Sequence, residues 1–188
     1  MSFSGSFPIG LNVEWKQAHQ TTLTDPYLKN WLLDTGSLTE RIQSLCHQFS
    51  LMVLGQSSIA LHDSEKSLLA QNADCDHQVR EVLLCGNSTP WVFARSVIPK
   101  RLLDEELANL GNEPLGKRLF NDSRFSRSNF ELCCLSAKTL GYENNRELWG
   151  RRSVFTLGND AMIVAEVFLP QAPVYSSRYD YGTEPEHS

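Results

Sequence analysis

Residues 161–169 read AMIVAEVFL, and in an extended chain they are apolar on both sides. Ala161, Ile163, Ala165, Val167 and Leu169 point one way, and Met162, Val164 and Phe168 the other. A strand of that kind needs protein above and below it, so the chain must build a sheet that is covered on both faces. Residues 153–157 (SVFTL) supply a partner strand, and Gly158, Asn159 and Asp160 carry the turn chemistry of a β-hairpin. One residue, Glu166, breaks the apolar run. A carboxylate set between Val164 and Phe168 has no easy path to water, so it must be protonated or face a cation or a polar ligand.

Other apolar strands carry embedded charges too. Residues 77–85 (HQVREVLLC) and 91–98 (WVFARSVI) form a second predicted hairpin, turned by Gly86, Asn87, Ser88, Thr89 and Pro90. Arg80 shares a face with Val82 and Leu84, whereas Arg95 lies on the face of Trp91, Phe93 and Val97. Two readings of Arg80 and Glu166 stay open. They pair with each other and fix strand register, or they line a closed pocket. In that pocket the arginine would take a carboxylate bidentately and the glutamate would grip a polar group opposite. Arg151 and Arg152 adjoin each other and so face opposite sides; at least one is expected in solvent, and Arg151 or Arg95 is expected to add positive field to the pocket. Arg118, Arg124 and Arg127 read as surface charges.

Helical signals lie before and between these strands. Asp25 ahead of Pro26 gives an N-cap and a proline at the first helical position, with Leu28, Trp31 and Leu32 as one apolar stripe. Ser37, Leu38, Thr39 and Glu40 match a capping box, predicting a second helix to about His47. The segment between, which contains Gly36, places backbone N–H groups at a helix N-terminus, a feature able to meet an anion. Residues 51–54 read as a short strand, 64–70 as a helical turn, and 104–110 as a helix stopped by Gly111 with Leu103, Leu107 and Leu110 buried. Residues 114–120 read as one turn opened by proline, and 126–135 as a strand. The expected fold is therefore α+β, a single domain over residues 23–175 with an antiparallel sheet of about six strands and flanking helices. Residues 1–22 read as a loosely held arm and 176–188 as a disordered tail.

Composition excludes several classes. A net charge of −5 and a pI near 5.5 argue against a general nucleic-acid binder. No apolar run approaches the roughly 20 residues of a membrane span, and the N-terminus lacks a secretion signal, so a cytoplasmic protein is expected. Cysteines 46, 75, 85, 133 and 134 are odd in number with no CxxC pair, and adjacent Cys133 and Cys134 point to opposite faces; reduced thiols and no metal site follow. Phosphate-binding glycine loops, HExxH and GxSxG are absent, and His47, His62 and His77 have no Ser or Cys partner by spacing. The chemistry must run on arginine, glutamate and shape.

The segments REVLLC, PWVFARSVIP, LGNEPLGKRLF, LWGRRS and AEVFLPQAPVY, in that order and spacing, closely resemble the bacterial chorismate lyase family, also called chorismate pyruvate-lyase. The likeness is strong over 77–175 and traceable over 26–49. It implies elimination of pyruvate from chorismate to give 4-hydroxybenzoate, the first committed step towards ubiquinone. It further implies no metal or organic cofactor, a monomer, and one α+β domain whose internal product site is covered by flaps. On this likeness Arg80 (in VREVLL) and Glu166 (in AEVFLP) match the ligand-binding arginine and glutamate and are the expected catalytic pair. Leu115 (in PLG) matches a position that contributes its backbone, and Leu38 sits where relatives carry methionine. Retained product and product inhibition are expected of such a closed site. A rival reading is a ligand-sensing effector module, but the residues ahead of Asp25 are neither basic nor helical, unlike a DNA-binding segment.

Overall fold

A computed structural model describes residues 3–176. Its strands are β1 (Lys16–Gln17), β2 (Phe49–Ser57), β3 (His77–Gly86), β4 (Thr89–Pro99), β5 (Ser126–Arg127), β6 (Glu131–Ser136), β7 (Glu147–Leu157) and β8 (Asp160–Phe168). They form one antiparallel sheet ordered β1-β6-β7-β8-β4-β3-β2, with β5 pairing the far end of β7. The helices are α1 (Pro26–Leu32), α2 (Leu38–Gln43), α3 (Asp63–Leu69), α4 (Lys100–Glu105) and α5 (Leu115–Phe120).

The α+β reading holds, with corrections of detail. The sheet has eight strands rather than about six, because residues 126–135 divide into β5 and β6 and residues 16–17 add a short edge. Helix α2 ends at Gln43, not near His47. The helix expected over 104–110 is α4, which starts straight from Pro99 and is left at Glu106; Leu103, Leu107 and Leu110 are nonetheless all buried. Their spacing survives in the turns that follow the helix, which misplaced it. Expectations for 177–188 lie outside the described residues. Among the described residues, no helix is long and apolar enough to cross a membrane.

Both hairpins turn where glycine or positive φ is available. Asn87 and Ser88 take φ 50° and 65°, the pattern of a type I′ turn, and Gly158 takes φ 58° as the first residue of the two-residue β7–β8 turn. Beside the first turn, Gly86 is required by packing instead: a Cβ there would lie 2.4 Å from the Trp91 ring.

Strand β8 lies inside the sheet between β7 and β4, and both of its faces are covered. On one side Phe168 joins Trp31, Leu32 and Ile42 beneath α1 and α2, and Met162 and Val164 join Leu103, Leu115 and Leu119 beneath α4 and α5. On the other side Ala165 and Val167 pack with Phe93 and Leu135, and Ala161 and Ile163 with Leu69 of α3. The N-terminal segment, read from sequence as loosely held, seals part of this second face. Leu11 is buried, Phe7 packs against Gly55, and β1 pairs with β6.

That second face also holds a buried ionic cluster. Arg95 donates to both oxygens of Glu65 at 2.7 and 3.0 Å and to Glu81 at 2.9 Å, and all three side chains are almost fully buried. Glu81 accepts two further bonds from the backbone of Ile9 and Gly10. Arg95 therefore points away from the pocket face and is committed to two carboxylates. It does not contribute to the site, contrary to the expectation. Arg152 is on this side too, bonded to Glu131 at 2.6 Å and buried, so neither of the adjacent arginines is in solvent.

Candidate active site

The opposite face of the sheet carries the site, and strand register assembles it. One row across the strands reads Gln56, Arg80, Ser96, Val164, Ser153, and the next reads Val53, Val82, Ala94, Glu166, Arg151, Leu132. Arg80 and Glu166 are thus separated by two strand spacings and one pleat repeat, about 10 Å across and about 7 Å along the sheet. Between them stand only small or short side chains, Ala94, Ser96 and Val164. The large groups at the ends and the small ones in the middle leave a hollow. It is a cavity of about 30 Å³ lined by Arg80, Val82, Ala94, Ser96, Val164 and Glu166, and roofed by Thr39, Pro114, Leu115 and Gly116.

Glu166 also lines a second, outer chamber of about 210 Å³. Thr39, Gly116, Val164 and Glu166 belong to both chambers, so a passage between the two must run past these residues. The outer chamber runs past Gly36, Ser37 and Leu38 to Arg127, Arg151, Ser153 and Phe155. At this boundary a Cβ on Gly116 would lie 3.9 Å from Glu166 Oε1, an ordinary contact distance.

The two predicted residues do not pair with each other. Glu166 is bridged by Arg151, whose Nε donates to Oε2 at 2.9 Å across the β7–β8 register. Arg151 is held in turn by the carbonyls of Trp31 (3.1 Å) and Asp34 (2.7 Å) at the C-terminal end of α1, where cations are favoured, and it lies 4.6 Å from the centre of the Phe130 ring. Arg80 is only 5% exposed, yet among the described residues it has no acidic partner. It donates to Gln56 Oε1 at 3.1 Å and to the Gly111 carbonyl at 2.8 Å. Burial lowers its pKa from the ordinary arginine value, but a guanidinium begins so high that it keeps its charge. It lines the inner cavity without an ion-pair partner among the described residues, which is costly unless an anion completes the site.

The roof comes from two short helices whose first residues are Leu38 and Leu115. Ser37 caps α2 by accepting from Glu40 N at 3.3 Å, while α5 begins after Pro114 with no side-chain cap. Leu115 lines the inner cavity and Leu38 the outer chamber. Ahead of α2, Asp34 accepts from Gly36 N and from Arg41, at 2.8 and 2.7 Å. Burial, the largest influence on its carboxyl, would raise the pKa, but these bonds and the nearby Arg41 and Arg151 outweigh it and hold the value down.

Arg127, read from sequence as a surface charge, is half-exposed, yet it also borders the site. Its guanidinium lines the outer chamber, donates to the Thr35 carbonyl at 2.8 Å, and lies 4.8 Å from the Phe130 ring centre and 5.8 Å from that of Phe155. Arg118 and Arg124 do serve surface pairs, with Glu113 and with Glu106 and Asp122. All five cysteines are free; burial pushes the Cys133 thiol up to about 12.

This arrangement can hold an anion at Arg80, a hydroxyl or a mobile proton at Glu166, and an extension of the ligand in the outer chamber. The likeness to known proteins fits that chemistry. A chorismate lyase family model matches residues 9–179. A probable chorismate pyruvate-lyase of Pseudoalteromonas atlantica is 40% identical over 190 residues, covering 95% of this chain and 98% of that protein. One from a Shewanella species is 40% identical over 179 residues, covering 89% and 94%. Among solved structures, the effector domain of PhnF from Mycobacterium smegmatis (TM-score 0.52, 14% identity, 73% of this chain and 91% of that one) shares the fold. So does a GntR-family transcriptional regulator from Bacillus cereus (TM-score 0.51, 10% identity, 73% and 98%). At those identities the regulators show the fold alone, whereas the family match spans nearly the whole sequence: the chain belongs to the chorismate lyase family.

Proposed function

We propose that the protein is a chorismate pyruvate-lyase that converts chorismate to 4-hydroxybenzoate and pyruvate, on the route to ubiquinone, without a metal or organic cofactor. The observation that carries this reading is Arg80: a buried guanidinium with no acidic partner among the described residues, lining a small cavity that has Glu166 at its other end. Arg80 takes the ring carboxylate, and the first backbone N–H of α5, at Leu115, completes the cradle, while Leu38 of α2 borders the outer chamber. Glu166, oriented by Arg151, accepts a hydrogen bond from the ring 4-hydroxyl.

The elimination breaks the C3–O bond to the enolpyruvyl group and the C4–H bond and forms the last ring double bond. The enolpyruvate takes up the proton at its methylene carbon and leaves as pyruvate. Aromatisation drives the step, so the protein has to enforce the reactive conformer, exclude water and assist one proton transfer. Glu166 is the group placed to move that proton.

A cavity of about 30 Å³ has room for one water molecule and not for a ring, which needs on the order of 150 Å³. The roof formed by α2 and α5 therefore has to lift for entry and exit. Product gripped at both ends under that roof leaves slowly, giving product inhibition. The test is incubation of chelator-treated protein with chorismate, following 4-hydroxybenzoate by absorbance and pyruvate by a coupled assay. Equal yields of both establish the lyase. Binding of chorismate without turnover would instead make the chain a sensor of small acids.

A further inference from the structure

We infer that Arg127 is a specificity-determining residue that binds the carboxylate of the departing enolpyruvyl group, holding the side chain of the substrate in the outer chamber. The inference rests on the lyase reading above and extends it to the half of chorismate that Arg80 and Glu166 leave unaccounted for.

Chorismate carries two carboxylates, and the site has two arginines without an acidic partner among the described residues. Arg80 stands in the inner cavity and Arg127 in the outer chamber, with Glu166 in the wall common to both. Of the other arginines on this face, Arg151 is already spoken for by Glu166 and by α1 carbonyls. Arg127 is held less completely. One hydrogen bond to Thr35 O and the faces of Phe130 and Phe155 fix its position, and most of its N–H donors stay unused. The local electrostatics favour an added anion. Burial, and then the like charge of Arg151, hold the Arg127 pKa below its ordinary value, while Glu166 and Asp34 only partly offset them. A carboxylate in the outer chamber relieves that repulsion and receives the fork of a planar guanidinium.

The geometry also separates substrate from product. A ligand with its ring between Arg80 and Glu166 reaches Arg127 only through a substituent passing the Thr39, Gly116 and Glu166 passage. The enolpyruvyl ether at C3 is such a substituent, and 4-hydroxybenzoate has none. Arg127 therefore contributes to recognition of chorismate and contributes nothing to retention of the aromatic product.

Steady-state kinetics of Arg127→Gln and Arg127→Lys against the wild type test this, with 4-hydroxybenzoate as inhibitor. The expected result is a fall of tenfold or more in kcat/KM for chorismate in Arg127→Gln, a smaller fall in Arg127→Lys, and a Ki for 4-hydroxybenzoate within about twofold of wild type. Thermal melts of both variants confirm folding. An unchanged kcat/KM would overturn the assignment, as would parallel losses in kcat/KM and product affinity, which mark a residue that merely supports the outer wall. If Arg127→Gln does not fold, Arg127→Lys decides alone by the same split between substrate and product. Failure of the wild type to convert chorismate would sink the lyase reading itself, a result separate from these.

Discussion

Replacing Arg80 with methionine separates a binding residue from a stabilising one, because the two roles predict different changes in stability with and without ligand. The guanidinium is 5% exposed and bonds only to neutral oxygens, those of Gln56 and Gly111. Burying an ion costs several kcal/mol, and each hydrogen bond it makes returns about 1.5–3 kcal/mol. The two sides nearly cancel, so the ligand-free variant should melt within about 2 kcal/mol of wild type, on either side. Ligand binding should behave differently. Truncating one partner of a buried, hydrogen-bonded charge pair costs about 2–5 kcal/mol; taking about 2.7 kcal/mol, the dissociation constant for 4-hydroxybenzoate rises about 100-fold. At a concentration 100 times the wild-type constant, product stabilises wild type by about 2.7 kcal/mol and the variant by only about 0.4 kcal/mol. For a chain of this size that is a Tm rise of about 5–11 °C against about 1–2 °C. Melting curves with and without 4-hydroxybenzoate measure both numbers. A variant that loses more than about 3 kcal/mol without ligand yet keeps the full ligand-induced rise would show that Arg80 is structural.

Four further outcomes follow from the same geometry. Arg95→Met, on the far face, should lose about 3–5 kcal/mol of stability by leaving Glu65 and Glu81 buried without a cation, as chemical denaturation will show. Glu166→Gln should keep product affinity within about tenfold while lowering kcat; an unaltered kcat would remove the proton-transfer role. In α5, Gly116→Ala should stabilise the helix by about 0.5–1 kcal/mol, since its methyl meets Glu166 only at ordinary contact distance, whereas Gly116→Leu should block the passage and raise KM at least tenfold. Acid should release the N-terminal segment. His62 Nε2 accepts the Leu11 N–H at 3.1 Å, and burial, only partly offset by Glu65, Glu81 and Asp63 and reinforced by Arg95, holds its pKa below the ordinary 6.5. The unfolded chain then takes the proton first, so the contribution present above pH 6.5 is lost as pH falls towards the lower folded-state value. The protection factor of the Leu11 amide should fall over that range, and equal protection at pH 7 and pH 5 would contradict it.

How much of the site could be read from sequence followed from how strongly each residue offended its surroundings. Glu166 and Arg80 are charges set in apolar strands, so their unusual position was visible without any structure. Arg151 was ambiguous because parity along a strand says only that Arg151 and Arg152 oppose each other; register with Glu166 decides which one faces the pocket. Arg95 looked like Arg80 by pattern, and what distinguishes it is Glu65, brought from α3 on the far face. The Glu81 beside Arg80 carried the signal that could have found this cluster, a second carboxylate buried in an apolar strand. Arg127 gave no signal at all. It sits in a two-residue strand among Ser126, Ser128 and Asn129, and only the fold brings the Thr35 carbonyl and the Phe130 and Phe155 rings to its guanidinium. Helix α4 was misplaced because leucine spacing reports burial, not the hydrogen bonding that ends a helix at Glu106.

The bond from Arg80 to the Gly111 carbonyl ties the floor of the site to the connection that leads into α5. The same guanidinium would then be both the grip on the ring carboxylate and the latch on the door. Opening the roof at that connection breaks this bond and exposes one face of the ligand's anchor to water in a single event. Ligand escape and loop opening would thus share one rate, and a probe placed at Gly111 or Asn112 would time the departure of product as directly as a probe on the product itself.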